Sequence, residues 1–146
     1  MADGVKIHFQ LEQDEDGYPP VAVESVWAQP AGQTGEYVVD NVPFFMRDAT
    51  IDDTVRVREE ERSLWFERVV TRSTNSLVRV VFFDRGAVQD VSRQLEALGC
   101  SVEYIAAFNL LAVSVPGNVP LGSVQSYLQV EASAGRIDYE EAILRQ

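Results

Sequence analysis

Two short runs of carboxylates are the side chains in this sequence whose spacing most suggests a binding chemistry. The first run is Asp14, Glu15 and Asp16, and the second is Glu59 to Glu61. Carboxylates can bind a cation, but a calcium loop needs oxygen ligands spread over about twelve residues with a final Glu. The apolar, Pro-containing continuation after Gly17 breaks that pattern, so we predict no metal site.

The same carboxylates can instead pair with Lys and Arg of a partner protein. Such pairs raise the association rate more than the affinity. We therefore assign seven residues to contact with a basic protein partner: Asp14, Glu15, Asp16, Tyr18, Glu59, Glu60 and Glu61. The simpler interpretation is a solvated loop for the first run and a polar hairpin tip for the second.

The sequence offers few side chains suited to nucleophilic or acid–base catalysis. His8 is the single histidine. It alternates with Ile7 and Phe9, which places it on the solvent side of a strand as a surface histidine or a general base. Cys100 follows the predicted end of a helix, where the negative dipole disfavours a thiolate, so a buried structural cysteine is predicted. No residue is assigned as catalytic, and a non-enzymatic protein is favoured.

A strand-to-helix junction offers a second candidate site at Asp84, Arg85 and Gly86. Free N–H groups at a helix start can bind an anion. One glycine without a following Gly-Lys-Ser/Thr does not make a phosphate loop. Asp84 is equally explained as a helix cap, with Gly86 easing the turn.

The charge balance excludes several classes of partner. The chain has 146 residues, with 12 Lys plus Arg against 23 Asp plus Glu, a net charge of −11. Broad binding to nucleic acid or to an anionic membrane surface requires the opposite sign. One Cys forms no internal disulfide, no cofactor motif is found, and no apolar run has the length of a signal peptide or a membrane helix. We expect a cytoplasmic protein without cofactors.

The elements that must position these residues change character along the chain. Up to residue 76, short alternating stretches separated by Gly, Pro and Asp predict strands over 5–11, 21–28, 36–39, 54–58 and 64–71. Residues 59–62 are the predicted hairpin loop. This pattern indicates a small curled β-barrel-like sheet over 1–76.

From residue 77 onward, the spacing of the apolar residues alternates between the period of a strand and that of a helix. Strands are predicted over 77–83, 101–105, 110–115 and 137–139, with helices over 87–98 and from Leu121 to Gly135. Gly99 occupies the position of a helix C-terminal glycine. The order β-α-β-β-α-β over 77–146 is that of a ferredoxin-like subdomain. The fold class is thus α+β, with the barrel-like part packed on the ferredoxin-like part. Unpaired strand edges leave a homodimer open.

Two strings rich in aromatic residues and Pro carry a family resemblance. The strings EQDEDGYPPVAVESVWA and DNVPFF, supported by RVVTRSTNSLVRV and LEALGCSVE, resemble a bacterial family, the domain of unknown function 4265, from Lys6 to Glu141. The resemblance implies a fold and a bacterial origin and supplies no catalytic residues.

A second resemblance covers the C-terminal half. The string VVFFDRGAVQDVSRQLEALGCSVEYI is similar to the start of an ACT-type ligand-sensing domain, although Arg85 stands where that family has Pro. It implies a small ligand, such as an amino acid, near Asp84 to Gly86.

Three functions follow as hypotheses. The first is a non-enzymatic protein-interaction module, of the immunity or antagonist type, that covers a basic partner. The alternative is a small-ligand-sensing regulatory domain with an ACT-like C-terminal half. The last is a hydrolase or transferase using paired carboxylates, for which the sequence offers no means of choosing a pair.

Overall fold

A computed structural model of the chain describes residues 4–146. The chain separates into two compact units, of which the first ends at Ser73 and the second is Thr74–Gln146. Over these described residues the fold is α+β, with one sheet in each unit and two α-helices, both in the second unit.

The first unit is a five-stranded sheet that closes on itself. Its strands are β1 (Val5–Gln10), β2 (Val23–Pro30), β3 (Glu36–Val39), β4 (Thr54–Glu60) and β5 (Ser63–Thr71). Successive strands pair antiparallel, and β1 pairs with β5 in parallel to complete the ring. Alternate residues point inward, as the two-residue period predicts. The interior is filled by Ile7, Phe9, Val26, Ala28, Val39, Met46, Ala49, Val55 and Val57.

One buried carboxylate ties the chain between β3 and β4 to the end of β5. Asp53 is fully buried, and its Oδ2 accepts a hydrogen bond of 3.0 Å from the Thr50 backbone N–H. Its Oδ1 accepts one of 2.7 Å from the Ser73 backbone N–H. A buried carboxylate is stable only when donors such as these surround it.

The second unit combines a four-stranded antiparallel sheet with α1 (Val88–Ala97) and α2 (Leu121–Ser133). The strands are β6 (Ser76–Phe82), β7 (Ser101–Ile105), β8 (Leu110–Val115) and β9 (Ile137–Ile143), in the spatial order β7-β8-β6-β9. One apolar cluster, which includes Val80, Val91 and Leu128, packs the helices on the sheet. Gly99, with φ of +108°, ends α1 as predicted.

The structure differs from the sequence prediction at the ends of some strands. β4 continues through Glu60, because Glu59 and Glu60 pair with Leu64 and Ser63 of β5. The hairpin loop is therefore two residues long. β9 extends to Ile143 rather than ending at 139, because it pairs with β6 from Phe82 back to Leu77. Backbone pairing includes polar residues that a periodicity argument leaves in a loop.

Candidate functional site

The first acidic run forms a loop that is fixed by one of its own carboxylates. Asp14 Oδ1 accepts hydrogen bonds of 2.9 Å from the backbone N–H groups of both Asp16 and Tyr18. The Asp14 N–H donates to the Tyr18 carbonyl oxygen at 2.7 Å, and Gly17 turns the chain with φ of +77°. The loop thus presents Tyr18 to solvent in a defined place, with 47% of the residue exposed.

A second segment is held beside this loop by Glu24 of β2. The buried Glu24 carboxylate accepts backbone hydrogen bonds from Phe44, Phe45 and Met46, the last two at 2.9 and 2.8 Å. Charged acceptors strengthen such bonds, so this segment is firmly placed. The ring of Phe45 meets the ring of Tyr18 edge-on, with centroids 6.4 Å apart.

The same segment is anchored at its start by Asn41. Its Oδ1 accepts a hydrogen bond of 2.6 Å from the Trp27 backbone N–H. The motifs ESVWA and DNVPFF, which lie apart in the sequence, are therefore joined by the backbone hydrogen bonds that Glu24 and Asn41 accept. The polar side chains of these motifs hold the segment that follows β3 against β2 through hydrogen bonds.

These two segments and the end of β1 enclose a cleft of about 550 Å³, which we call the Tyr18 cleft. It is lined by Gln10, Leu11, Glu12, Asp14, Tyr18, Pro19, Phe45, Met46, Arg47 and Asp48. Three carboxylates and one guanidinium make its charge negative. Within residues 4–146, the carboxylates of Glu12 and Asp48 make no hydrogen bond or ion pair. They are available to a cation from outside.

A second cleft, of about 630 Å³, adjoins the first because Asp48 lines both. We call it the Arg72 cleft, and it is otherwise lined by Phe66, Val69, Val70, Thr71 and Arg72 of β5 and its end. The pairing of β5 with β4 shifts register twice. These irregularities leave Glu67 and Val70 without a partner on β4, and such bulges redirect side chains at sheet rims.

The second acidic run lies at the other end of the ring. β1 and β5 run parallel, with Ile7 opposite Leu64, so the β4–β5 hairpin is level with the early part of β1. The Tyr18 cleft begins where β1 ends, at Gln10. A six-residue strand spans about 20 Å. The structure therefore does not bring the two predicted acidic runs together.

The glutamates of this hairpin also face in different directions. Successive strand residues alternate sides, so Glu59 and Glu60 lie on opposite faces of β4. Glu60 Oε1 accepts a hydrogen bond of 3.1 Å from Arg58 Nε. Glu61 and Arg62 form the turn with φ of +50° and +69°. Glu60 and Glu61 line a cleft of about 510 Å³ with Ser63 and Trp65.

The candidate ligand turn in the second unit is closed by its own side chain. Asp84 Oδ1 accepts a hydrogen bond of 2.9 Å from the Gly86 N–H, and the Asp84 carbonyl accepts one from the Ala87 N–H. Arg85 opens a three-residue 3-10 helix over Arg85–Ala87. The capping interpretation of Asp84 describes this geometry, and the amides of Gly86 and Ala87 already have acceptors.

His8 and Cys100 lie in ordinary structural surroundings. The His8 Nδ1 is 2.5 Å from Ser25 Oγ, and its ring lies 5.3 Å from that of Trp65 on the outer face of the ring. Cys100 is buried, and desolvation raises the pKa of its thiol from 9.0 to about 11. Among the residues that the structure describes, no three His, Cys, Asp or Glu side chains are grouped to hold a metal ion.

The chain matches a known protein family. The family model "Domain of unknown function (DUF4265)" matches residues 24–139, which is most of the chain. The chain belongs to this family. The matched region begins at Glu24, within the first string that carried the resemblance, and the Asp14–Pro19 loop precedes it. No curated protein matches the chain.

A solved structure shares the fold of this DUF4265 protein. It is described as the novel crystal structure of a hypothetical protein from Neisseria gonorrhoeae. The two are 19% identical, with a TM-score of 0.77 over 99% of this chain and 96% of the other. In residues 4–146, no helix is both long enough and apolar enough to span a bilayer.

Sequence reasoning found part of the Tyr18 cleft and missed the rest. It singled out Asp14 and Tyr18, which line the cleft, together with Glu15 and Asp16, which do not. It missed Glu12, Arg47 and Asp48 as site residues. The signal that joins these segments is the Glu24 carboxylate, since a lone polar residue at an inward position of a strand needs donors nearby.

Proposed function

We propose that this protein is a non-enzymatic protein-interaction module of the immunity or antagonist type, which covers a basic segment of a partner. The observation that carries the proposal is the Tyr18 cleft. Its carboxylates outnumber its single guanidinium, and it lies on a chain with a net charge of −11. A Lys or Arg side chain is the complementary ligand.

The cleft suits a cation for three physical reasons. The carboxylates of Glu12 and Asp48 have no partner among residues 4–146, so a cation can bind without breaking an existing ion pair. Tyr18 is 47% exposed as a residue, and an aromatic ring at the cleft attracts a guanidinium, an interaction worth about 0.5–1 kcal/mol at exposed sites. Positioned backbone on both sides limits the entropy lost on binding.

The Glu59–Glu61 hairpin contributes to this function at a distance. Glu60 is already paired with Arg58, and the hairpin lies at the far end of the ring from the Tyr18 cleft. Its charge adds to the negative field that attracts a basic partner, and it does not share the bound cation. Such steering weakens as salt screens it over about 8 Å at physiological ionic strength.

We also infer that the second unit is a ferredoxin-like split βαβ arrangement. The order of its elements, β6-α1-β7-β8-α2-β9, and the antiparallel strand order β7-β8-β6-β9 support this assignment. In the proposal this unit is a scaffold, since its candidate turn at Asp84 has its own hydrogen bonds.

The test is binding of a fluorescein-labelled arginine-rich peptide, measured by anisotropy at low and at physiological salt. We expect the double variant Glu12→Gln/Asp48→Asn to weaken binding about tenfold, which corresponds to about 1.4 kcal/mol. The variant Tyr18→Ala should weaken it about threefold through loss of stacking.

The matched control is Glu59→Gln/Glu60→Gln, which removes the same charge at the other end of the ring. We expect the affinity of this control variant for the peptide to fall by less than about threefold, and only at low salt. Equal losses in the two double variants would mean that the peptide responds to net charge alone, and the cleft would then have no special role.

A further inference from the structure

The Tyr18 cleft and the Arg72 cleft form one continuous surface of the first unit. Asp48 lines both, so the two clefts meet at this residue. Their volumes, about 550 and 630 Å³, are similar. Together they offer room for a short extended segment rather than for one side chain.

The chemistry of the surface changes along its length. The Tyr18 cleft is acidic, through Glu12, Asp14 and Asp48. The Arg72 cleft is apolar at Val70, an exposed residue at an irregularity of β5, and cationic at Arg72. Within residues 4–146, the Arg72 guanidinium makes no hydrogen bond or ion pair. It is available to an anion from outside.

We propose that the two clefts together bind one extended segment of the partner protein, which presents a basic residue, an apolar residue and a carboxylate in that order. The basic residue occupies the Tyr18 cleft, the apolar residue covers Val70, and the carboxylate pairs with Arg72. This inference rests on the proposed function and adds the pattern by which the partner is recognised.

The proposed pairing of a ligand carboxylate with Arg72 is opposite in sign to what the net charge of the whole protein favours. A protein with a net charge of −11 repels an added carboxylate on its ligand. A ligand that binds more tightly when it carries that carboxylate must therefore place it at a local cation. A guanidinium and a carboxylate can pair through two parallel hydrogen bonds, which gives this contact directional specificity.

The experiment compares peptides that differ in one residue. Each peptide has an Arg and a Glu separated by about two to four residues, with Leu between them, since an extended chain rises about 3.3 Å per residue. Its partner peptide carries Gln in place of Glu. We expect the wild-type protein to bind one Glu peptide about five- to tenfold more tightly than its Gln partner.

Variants of the protein then locate the carboxylate. The variant Arg72→Gln should bind the Glu and Gln peptides equally. The variant Arg72→Glu should prefer a peptide in which Glu is replaced by Lys, a reversal that a merely structural role of Arg72 would not produce. The control Arg62→Gln removes the same charge at the hairpin turn and should keep the preference for Glu.

The two proposals fail in distinguishable ways. If no spacing shows a preference for Glu, while Glu12→Gln/Asp48→Asn still weakens binding, the recognition pattern is overturned and the proposed function stands. If no arginine-containing peptide binds, both are overturned. A preference for Glu that persists in Arg72→Gln also overturns the pattern, because the carboxylate then lies elsewhere.

Discussion

In the first unit, long connections are fixed by buried or half-buried polar side chains, whereas in the second unit short connections join elements that pack on one apolar cluster. In the first unit, Glu24 accepts hydrogen bonds from the distant Phe45 and Met46 amides, and Asp53 accepts them from nearby Thr50 and distant Ser73. In the second, positive-φ glycines, Gly99 and Gly135, end the helices directly. The proposed binding surface belongs to the unit whose loops are held by charge. A rigid, irregular surface thus depends on a few carboxylates.

The largest effect is expected from Asp53→Ala. This change leaves the N–H groups of Thr50 and Ser73 without their buried acceptor, so the free energy of unfolding of the first unit should fall by about 3–5 kcal/mol. Both tryptophans of the chain, Trp27 and Trp65, lie in this unit. Their fluorescence during urea unfolding measures the change, and exposed Glu67→Ala is the control. A loss below about 1 kcal/mol would contradict a fastening role for Asp53.

The matching change in the second unit is Leu128→Ala. Leu128 is fully buried in the cluster of that unit, so a cavity should cost about 3 kcal/mol. Both α-helices of residues 4–146 lie in this unit. The helical circular dichroism signal should therefore be lost at a lower urea concentration in this variant than in the wild type. Val130→Ala, on the same helix but 67% exposed, should change stability by less than about 0.5 kcal/mol. If Val130→Ala cost as much, the packing account of this unit would be wrong.

A smaller effect is expected from Glu24→Gln. The amide retains one acceptor oxygen but lacks the charge, so the first unit should lose about 1–2 kcal/mol. Hydrogen exchange of the Phe45 and Met46 amides should accelerate, and arginine-peptide binding at the Tyr18 cleft should weaken. The control Glu15→Gln removes a charge from the exposed loop tip. Unchanged exchange at Phe45 would show that another contact holds the segment.

The thiol of Cys100 gives the second unit a pH dependence at high pH. Burial raises its pKa from 9.0 to about 11, so the folded state holds this proton where the unfolded state has lost it. The stability contribution is complete below about pH 9 and falls as pH rises toward 11, by at most about 1.4 kcal/mol per pH unit. Comparing Cys100→Ala with wild type at pH 8 and pH 10.5 measures it. Fast thiol alkylation of the native protein at pH 8 would contradict the burial.

The smallest effect is a gain at the β4–β5 hairpin. Glu61 and Arg62 both have positive φ, which disfavours residues with a Cβ. The pair Asn-Gly suits such two-residue turns, so Glu61→Asn/Arg62→Gly should stabilise the first unit by about 1 kcal/mol. Tryptophan fluorescence in urea measures the gain, and Glu59→Asn, within the paired strand, should give none. A loss in the double variant would mean that the Glu61 and Arg62 side chains hold the turn.

The sequence predicted regular elements well where local rules decide them. The helix over Val88–Ala97 ends before Gly99 as expected, and β3, β7 and β8 have the predicted bounds. β4 and β9 are longer than predicted, because pairing with a neighbouring strand includes polar residues at their ends. Local periodicity carries no information about such a neighbour.

The candidate site was harder to predict because its parts meet through long-range contacts. Asp14 and Tyr18 belong to one loop and were found through their composition. Asp48 joins them only because Glu24 binds amides about twenty residues further along the chain. Nothing in the local sequence states that contact, although a glutamate alternating with Val26 and Ala28 on the inward side of β2 points to a buried acceptor.

The hydrogen bonds that Glu24 and Asn41 accept also determine how this region can be exchanged between proteins. A graft of the Phe44–Met46 segment alone would arrive without its acceptor, and a graft of β2 alone would bury a carboxylate without donors. Residues 24–46 are therefore the smallest piece that contains both the donors and the acceptors of these hydrogen bonds. A chimera that aims to transfer one wall of the Tyr18 cleft should move that whole stretch at once.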